Sequence, residues 1–171
     1  NDCLGNRADR FLACVAYLDG VRPSVVMCRG YYGRSVLAAW DFRDGRLTSR
    51  WVFDSGVSYP PYSDASIYSG QGNHNLSVGD VDEDGRDEIV YGAMAVDDDG
   101  TGLYSTGLRH GDTMHLSDID PDRNGLEVWG IHENEYNPNN GYGAALFNAR
   151  TGEVYWGKGP GVDVVWGLTM D

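Results

Sequence analysis

The sequence predicts an all-β fold made of repeated units of about four strands each, which is the architecture of a β-propeller. Three observations support this prediction. Apolar residues do not recur at helical spacing over any long window, and the 24 glycines interrupt windows of helical length. Short apolar runs recur between Asp-Gly, Asn-Gly and Thr-Gly turns, as strands do. An acidic segment that begins at Asp80 is repeated from Asp118 onward.

The individual strands are predicted from these turns in chain order. The first two flank a turn at 19–20, and the next two flank a turn at 44–45. Two more flank the first acidic segment, one follows the second, and the last two flank a turn at 151–152. The predicted strands are 11–18, 24–29, 36–40, 47–53, 76–78, 88–91, 127–131, 144–147 and 153–156.

Residues 1–171 are interpreted as one partial propeller domain. Repeat units of about 40 to 60 residues allow about three to four blades in this length. Segment 17–26 is similar to a degenerate copy of the acidic unit, and 167–171 is similar to the start of a further copy. We therefore expect a piece of a larger propeller whose partners are its remaining blades. Open edges and a half-covered core would make such a piece fold poorly alone.

The charge balance restricts the partners. Thirteen basic residues against 26 acidic ones give a net charge of −13, which disfavours binding to nucleic acid or to an anionic membrane. No apolar run approaches the roughly 18 residues of a membrane-spanning helix. This balance suits bound cations, or a soluble protein outside the cell.

Two of the three cysteines, Cys14 and Cys28, fall on the first two predicted strands. If that hairpin were centred on residue 21, the two thiols would face each other. The sequence leaves open a cross-strand disulfide and a pair of small buried thiols.

The first acidic segment has the spacing of a calcium-binding loop. Carboxylates at alternating positions converge when the chain curls round an ion, and Gly85 permits the sharp turn. A backbone carbonyl and a final glutamate then complete the coordination shell of the ion. The alternative is a solvated acidic turn, in which the carboxylates would repel one another without a cation. The candidate ligands are Asp80, Asp82, Asp84, the backbone carbonyl of Arg86, and Glu88, so the calcium loop is placed at 80–88.

A second copy of the loop spans 118–127, with one inserted residue and a proline. Asp118, Asp120 and Glu127 keep their positions in the pattern and are its candidate ligands. Calcium suits both loops better than magnesium, which binds fewer protein oxygens and keeps its waters. The run 97–99 is predicted to be a plain acidic turn, since successive carboxylates point in different directions.

The four histidines, His74, His110, His115 and His132, have irregular spacing and no cysteine partner, so their pattern does not support a zinc site. Hydrogen-bonded loop histidines are the simpler interpretation. Glycines beside His74 and His110 indicate loops held close to another group.

Several long stretches are similar to the rhamnogalacturonan lyases of polysaccharide lyase family 11. The two most specific are Gly70-Gln-Gly-Asn-His-Asn-Leu76 and Leu103-Tyr-Ser-Thr-Gly-Leu-Arg-His-Gly-Asp112. The acidic loops alone would be weak evidence, because many propellers share them. The resemblance covers essentially the whole chain, and its further segments are 5–12, 29–34, 79–88, 93–97 and 126–133.

The resemblance implies a fragment of an eight-bladed propeller with structural calcium, from a secreted or cell-surface microbial enzyme of pectin degradation. Such enzymes cleave the rhamnose-galacturonate backbone of rhamnogalacturonan I by β-elimination. It also implies a further calcium site at His74, His110, Asp112 and Glu133, although histidine is an unusual calcium ligand. The catalytic base is not identified; by residue type, Lys158, a tyrosine, an arginine or a histidine qualifies.

One departure from the family pattern keeps other functions open. Trp166 stands where the family has an arginine near the substrate groove, and an indole cannot form a bidentate pair with a carboxylate. The main alternative is a non-catalytic, calcium-dependent propeller that binds carbohydrate or protein. A quinone-dependent dehydrogenase propeller is disfavoured, because the Thr-Gly motif at 151–152 is replaced by Asp44-Gly45 in the other copy.

Overall fold

A computed structural model describes residues 10–56, 66–133, 141–159 and 164. Within these ranges the chain forms β-strands, turns and bends. The same residues contain no helix that is long and apolar enough to cross a membrane. The strands are β1 Phe11–Ala16, β2 Ser24–Arg29, β3 Val36–Arg43, β4 Arg46–Asp54, β5 Ser77–Gly79, β6 Glu88–Val90, β7 Met94–Val96, β8 Gly102–Ser105, β9 Met114–Ser117, β10 Glu127–Ile131, β11 Ala144–Asn148 and β12 Val154–Lys158.

The strands form three four-stranded antiparallel sheets, which confirms the all-β prediction. Strands β1 to β4 form the first sheet, β5 to β8 the second and β9 to β12 the third. In each sheet every strand pairs with its neighbours in sequence, so each sheet is a meander joined by short connections. Each predicted strand coincides with an observed one. Three short strands, β7, β8 and β9, were not predicted.

The second sheet lies between the other two and is buried on both faces. Ile89, Met94 and Val96 belong to one apolar cluster that also contains Val26 and Leu37 of the first sheet. On its other face, Val90, Ala95 and Tyr104 join a second cluster with Val128 and Phe147 of the third sheet. Alternate residues of β6 and β7 therefore face opposite neighbours, as the pleat of a strand requires.

The pairing register of the first hairpin separates the two cysteines. Cys14 lies opposite Val26, and Cys28 lies opposite Leu12, so the hairpin is centred one residue earlier than residue 21. Both residues are free thiols, and burial raises the pKa of Cys14 to about 11. The two cysteines are diagonal neighbours on the inner face of the sheet. They are therefore not directly opposite each other, which is the arrangement on which the possible disulfide was based.

The meanders place the sequence motifs at two opposite ends of the sheets. The acidic loops connect β5 to β6 and β9 to β10, so both lie at one end. Residues just before β5 and β9, and just after β2 and β10, lie at the other end. His74, His110 and His132 belong to this second end. The two kinds of candidate site are therefore separated by the length of the strands.

Candidate metal centres

The first acidic loop is curled by its own backbone amides. Asp80 follows β5, and its two carboxylate oxygens accept hydrogen bonds from the amides of Asp84 (3.0 Å) and Gly85 (2.9 Å). The amide of Arg86 donates to Asp84 Oδ1 at 2.9 Å. Gly85 adopts a φ of 89°, in the left-handed region that glycine enters without steric cost. The predicted turn therefore forms where the loop pattern places it.

Glu88 is the buried member of this loop. It opens β6, is 0% exposed, and accepts a hydrogen bond from the Val81 amide through Oε2 at 2.8 Å. Its other oxygen, Oε1, is buried and has no hydrogen-bond partner among the described residues. Burial raises the pKa of Glu88 to about 8. A cation next to Oε1 would satisfy the oxygen and restore the charged form.

Two overlapping groups of carboxylates converge around Glu88. Oxygens of Asp80, Asp82 and Glu88 lie within 4.8 Å of one another, and so do oxygens of Asp84, Glu88 and Asp98. Calcium binds oxygens at about 2.3–2.6 Å, so ligands on opposite sides of one ion lie about 5 Å apart. The spacing of both groups fits a calcium ion.

Asp98 is the residue that the sequence analysis missed. It belongs to the run 97–99, which was expected to be a plain acidic turn. The structure instead buries it, with 5% exposure, and brings it against the loop. Its neighbour Asp99 is exposed, as expected for a turn. The run of three aspartates starts directly after the fully buried strand β7, but nothing in this local pattern singles out Asp98 as the buried member.

The second acidic loop has the same buried glutamate. Glu127 is 0% exposed, and its Oε2 accepts hydrogen bonds from the amides of Ile119 (3.0 Å) and Asp120 (3.1 Å). Its Oε1 is again buried without a partner in the described part of the chain. One carboxylate oxygen of Asp120 accepts a hydrogen bond from Nε of Arg123 at 2.9 Å. Among the described residues, Asp118, Asp120 and Glu127 do not form a triad within 4.8 Å.

The corresponding connection in the first sheet shows how the motif degenerates. Asp19 accepts hydrogen bonds from the amides of Val21 and Arg22, and the Arg22 guanidinium binds its other oxygen. Ser24 opens β2 where glutamates open β6 and β10. The Arg22 guanidinium forms an ion pair with this aspartate, and the glutamate of the other two loops is absent at this position. Segment 17–26 therefore keeps the turn around an aspartate but lacks the buried glutamate, which fits its interpretation as a degenerate copy of the acidic unit.

At the opposite end, two histidines and one aspartate form a third group. His74, His110 and Asp112 place one potential ligand atom each within 4.8 Å of one another. Asp112 Oδ1 lies 3.2 Å from His74 Nδ1 and 3.9 Å from His110 Nε2. A parallel bridge between Asn73 and Gly111 holds the two segments side by side. The structure therefore brings together three of the four residues that the resemblance implied.

His110 is held as a neutral imidazole. Its Nδ1 lies 2.7 Å from the Gly72 carbonyl, which only an N–H can satisfy, so the lone pair is on Nε2. That Nε2 is buried and has no hydrogen-bond partner in the described ranges. Burial lowers the pKa of His110 to about 3. A neutral imidazole with a free lone pair is the form in which histidine binds a metal.

Glu133 lies beside this group but is engaged elsewhere. Its amide donates to the His110 carbonyl at 2.8 Å. Its carboxylate accepts a hydrogen bond from the Tyr32 hydroxyl at 2.8 Å. The Tyr32 ring packs against His110 at a tilt of 51°, with 4.0 Å between the ring centroids. Burial and the bond to Glu133 both raise the pKa of Tyr32, so the phenol keeps its proton at neutral pH.

The other two histidines are not part of the triad. His115 lies on β9 opposite Trp129. His132 is buried at 1% exposure, with Nδ1 3.2 Å from the Arg109 carbonyl. Lys158, the candidate base at the end of β12, lies at the same end of the third sheet as His132. Trp166 and residues 134–140 lie outside the described residues.

Acidification is expected to destabilise the fold through His132. Burial lowers its pKa to about 4, whereas an unfolded histidine titrates near 6.5. Its contribution to stability is therefore complete above about pH 6.5 and is lost as the pH falls to about 4, with a total near 3 kcal/mol. Urea unfolding in chelator between pH 7 and pH 4 measures this loss.

Two variants control the pH measurement. His132→Gln should reduce the slope of unfolding free energy against pH by about 1.4 kcal/mol per unit, the value for one proton. His115→Gln, at a partly exposed histidine on β9, should keep the original slope. Equal slopes for all three proteins would contradict the assignment.

The fold and these sites define a class: an all-β protein of repeated four-stranded meanders with buried carboxylates gathered in the connecting loops. The family model described as the C-terminal domain of rhamnogalacturonan lyase family 11 matches residues 1–171. The chain belongs to this family, which confirms the resemblance drawn from the sequence motifs.

Characterised relatives show the same similarity. The chain is 62% identical to the rhamnogalacturonan exolyase YesX of Bacillus subtilis (strain 168) over 167 residues, which are 98% of this chain and 26% of that protein. It is 52% identical to the rhamnogalacturonan endolyase YesW of the same strain over 170 residues, 99% of this chain and 26% of YesW. The crystal structure of the exotype lyase YesX superposes with a TM-score of 0.85, at 62% identity, covering 96% of this chain and 26% of that one. The chain thus spans about a quarter of the length of these relatives.

Proposed function

We propose that this chain is part of a lyase that degrades pectin by cleaving the rhamnose-galacturonate backbone of rhamnogalacturonan I through β-elimination. The observation that carries the proposal is the similarity over nearly the whole chain to both an exolyase and an endolyase of this polymer. The triad of His74, His110 and Asp112 lies in the two motifs most specific to the family.

The chemistry requires neutralisation of charge beside the reacting carbon. A base removes the proton next to the uronate carboxylate, the bond from the sugar to the leaving oxygen breaks, and its electron pair passes to that oxygen as a C=C bond forms. A bound calcium ion would stabilise the negative charge that develops on the carboxylate. Tyr32 keeps its proton and is unsuited as the base, whereas Lys158 and Arg109 carry basic groups at this end of the sheets.

Calcium is the cofactor we propose for the acidic loops and for the triad. Asp80, Asp82, Asp84, the Arg86 carbonyl and Glu88 would hold one ion. Within the part of the chain that the structure describes, the Oε1 atoms of Glu88 and Glu127 are buried without a hydrogen-bond partner. This supports the proposal, because a buried carboxylate oxygen without a partner is costly unless a cation lies beside it. In the second loop the ligands would be Asp118, Asp120 and Glu127. At the opposite end they would be His74, His110, Asp112 and Glu133.

We further propose that the three sheets are successive blades of an eight-bladed propeller. The second sheet is covered on both faces, whereas the outer face of the first presents apolar side chains to solvent. One row on that face runs across all four strands as Ala13, Met27, Ala38 and Val52. Met27 and Val52 are 48% and 59% exposed. A neighbouring blade would cover this face as the first sheet covers the second.

The third sheet supports the same arrangement from its other side. Trp129 and Trp156 stack on its outer face with 5.5 Å between ring centroids, and Trp156 is 48% exposed. The partners of this chain are then the remaining blades and the polysaccharide. A formal net charge of −13 and the proposed calcium loops are consistent with a protein that is secreted or displayed on the cell surface.

The proposed function is tested on the full-length protein with rhamnogalacturonan I, by following the absorbance of the unsaturated product. His110→Ala is expected to lower activity by at least about 100-fold, because it removes a group from the proposed active-site cation. His115→Ala, a histidine on another face, should retain activity within about threefold.

The outcome distinguishes the lyase from the binding module. No absorbance change, with polymer binding retained, would contradict the lyase and support a non-catalytic propeller. Equal loss of activity in the His110 and His115 variants would contradict the role of the triad.

A further inference from the structure

Asp98 lies outside the 80–88 loop in sequence but inside its carboxylate cluster in space. It follows β7, in the turn that leads to β8. One of its carboxylate oxygens lies within 4.8 Å of oxygens of Asp84 and Glu88. Asp98 is 5% exposed and Glu88 is 0% exposed, with Glu88 Oε1 buried and unpartnered among the described residues.

The turn that carries Asp98 is anchored to the first sheet. The Trp51 indole donates from Nε1 to the Asp98 carbonyl at 2.7 Å. Gly100, with a φ of 86°, lets the turn approach the indole, since an added Cβ would lie 2.6 Å from the ring. The Asp98 amide donates to Asp97 Oδ1 at 2.8 Å. These contacts fix the backbone of Asp98 independently of the loop it faces.

The charges at this cluster are not balanced by protein groups. Arg86 donates from its guanidinium to Asp98 Oδ2 at 3.0 Å and lies 3.9 Å from Asp84 Oδ2. In the described structure this guanidinium contacts two of the three carboxylates, Asp84 and Asp98. Asp98 has a second carboxylate oxygen, and Glu88 Oε1 receives no hydrogen bond from any described residue.

We propose that Asp98 is a cation ligand of the 80–88 loop, contributed by a different turn and acting with Asp84 and Glu88 on a hard divalent cation such as calcium. The inference rests on the proposed calcium loop and adds a residue outside the loop pattern. A cation held by Asp98 would connect the first two sheets, because Trp51 of the first sheet is hydrogen-bonded to the turn of the second sheet that carries Asp98. Cation binding should therefore change the fluorescence of Trp51.

The test is a calcium titration of the full-length protein after removal of metal with chelator. Tryptophan fluorescence and calorimetry are recorded together. Asp98→Asn should weaken the fluorescence-reported affinity for calcium by about tenfold or more, since it removes a ligand charge. Asp99→Asn removes the same charge one residue away, on an exposed side chain, and should change the affinity by less than about threefold. Trp51→Phe should abolish the fluorescence change and keep the calorimetric binding.

Each outcome bears on a separate claim. Equal affinities of the Asp98 and Asp99 variants would overturn the role of Asp98 and leave the calcium loop intact. No calcium binding by the unaltered protein would overturn both the loop and this inference. If Asp98→Asn fails to fold, a calcium-soaked crystal of the unaltered protein decides. An Asp98 oxygen within about 2.3–2.6 Å of the ion supports the inference, and a separation above about 4 Å overturns it.

Discussion

Glu88→Gln is expected to destabilise the protein in the presence of calcium but not in the presence of a chelator. With calcium at about a thousand times its dissociation constant, ion binding stabilises the fold by about 4 kcal/mol, and the substitution should remove most of this. In chelator the same change should be neutral or stabilising. The reason is that burial raises the pKa of Glu88, so its carboxylate is unfavourable without a cation, whereas glutamine is uncharged.

Thermal and urea unfolding of the full-length protein measure this reversal. Glu83→Gln is the matched control, because Glu83 lies in the same loop but is exposed. It should shift stability by less than about 0.5 kcal/mol in either condition. A Glu88 variant that loses the same stability in calcium and in chelator would show that the carboxylate acts through packing alone.

Gly111→Ala is expected to cost at least about 3 kcal/mol and to abolish lyase activity. A Cβ at this position would lie 1.5 Å from the Ile131 carbonyl oxygen, which belongs to the backbone and cannot rotate away. The chain must then move at the point where Gly111 joins His110 to Asp112 and bridges Asn73. Both the sheet end and the triad are disturbed together.

Gly79→Ala provides the control for the added methyl group. At Gly79 a Cβ would meet the ends of two leucine side chains at 3.4 and 3.7 Å, which is ordinary contact. This variant should remain within about 1 kcal/mol of the unaltered protein. If Gly111→Ala melted at the same temperature as Gly79→Ala, the close approach to Ile131 would be contradicted.

The strands and acidic loops were predictable because their causes are local. The turn at 44–45 joins two strands whatever surrounds it, and the amides of the 80–88 loop bind the aspartates a few residues away. Glu88 and Glu127 could be identified as candidate ligands for the same reason, since each occupies a fixed place in its loop pattern. Local sequence also marked segment 17–26 as a degenerate copy.

The missed features depend on contacts between distant segments. Asp98 contacts the carboxylate cluster of the 80–88 loop because the second sheet brings its β7–β8 turn to the β5–β6 connection, and no spacing rule records this. The pairing register of the first hairpin differs by two residues from the assumed one, because Cys14 pairs with Val26 and not with Cys28. The short strands β7 to β9 have three or four residues each, too few to show a period.

The histidines illustrate the limit of sequence proximity. His110 and His115 are close in sequence, yet His110 joins the triad and His115 lies on β9 opposite Trp129. The bridge between Gly111 and Asn73 holds His110 beside His74. The chain bends at residue 112 before it reaches His115. The resemblance to the family grouped His74, His110 and Asp112, and the structure brings these three residues together.

The central claim is that the buried glutamates of the acidic loops hold calcium, and anomalous diffraction from calcium-soaked crystals of the full-length protein tests it most directly. We expect an anomalous peak at each loop, about 2.3–2.6 Å from Oε1 of Glu88 and of Glu127. Loops that carry no peak, with both oxygens bound to protein donors instead, would contradict the account.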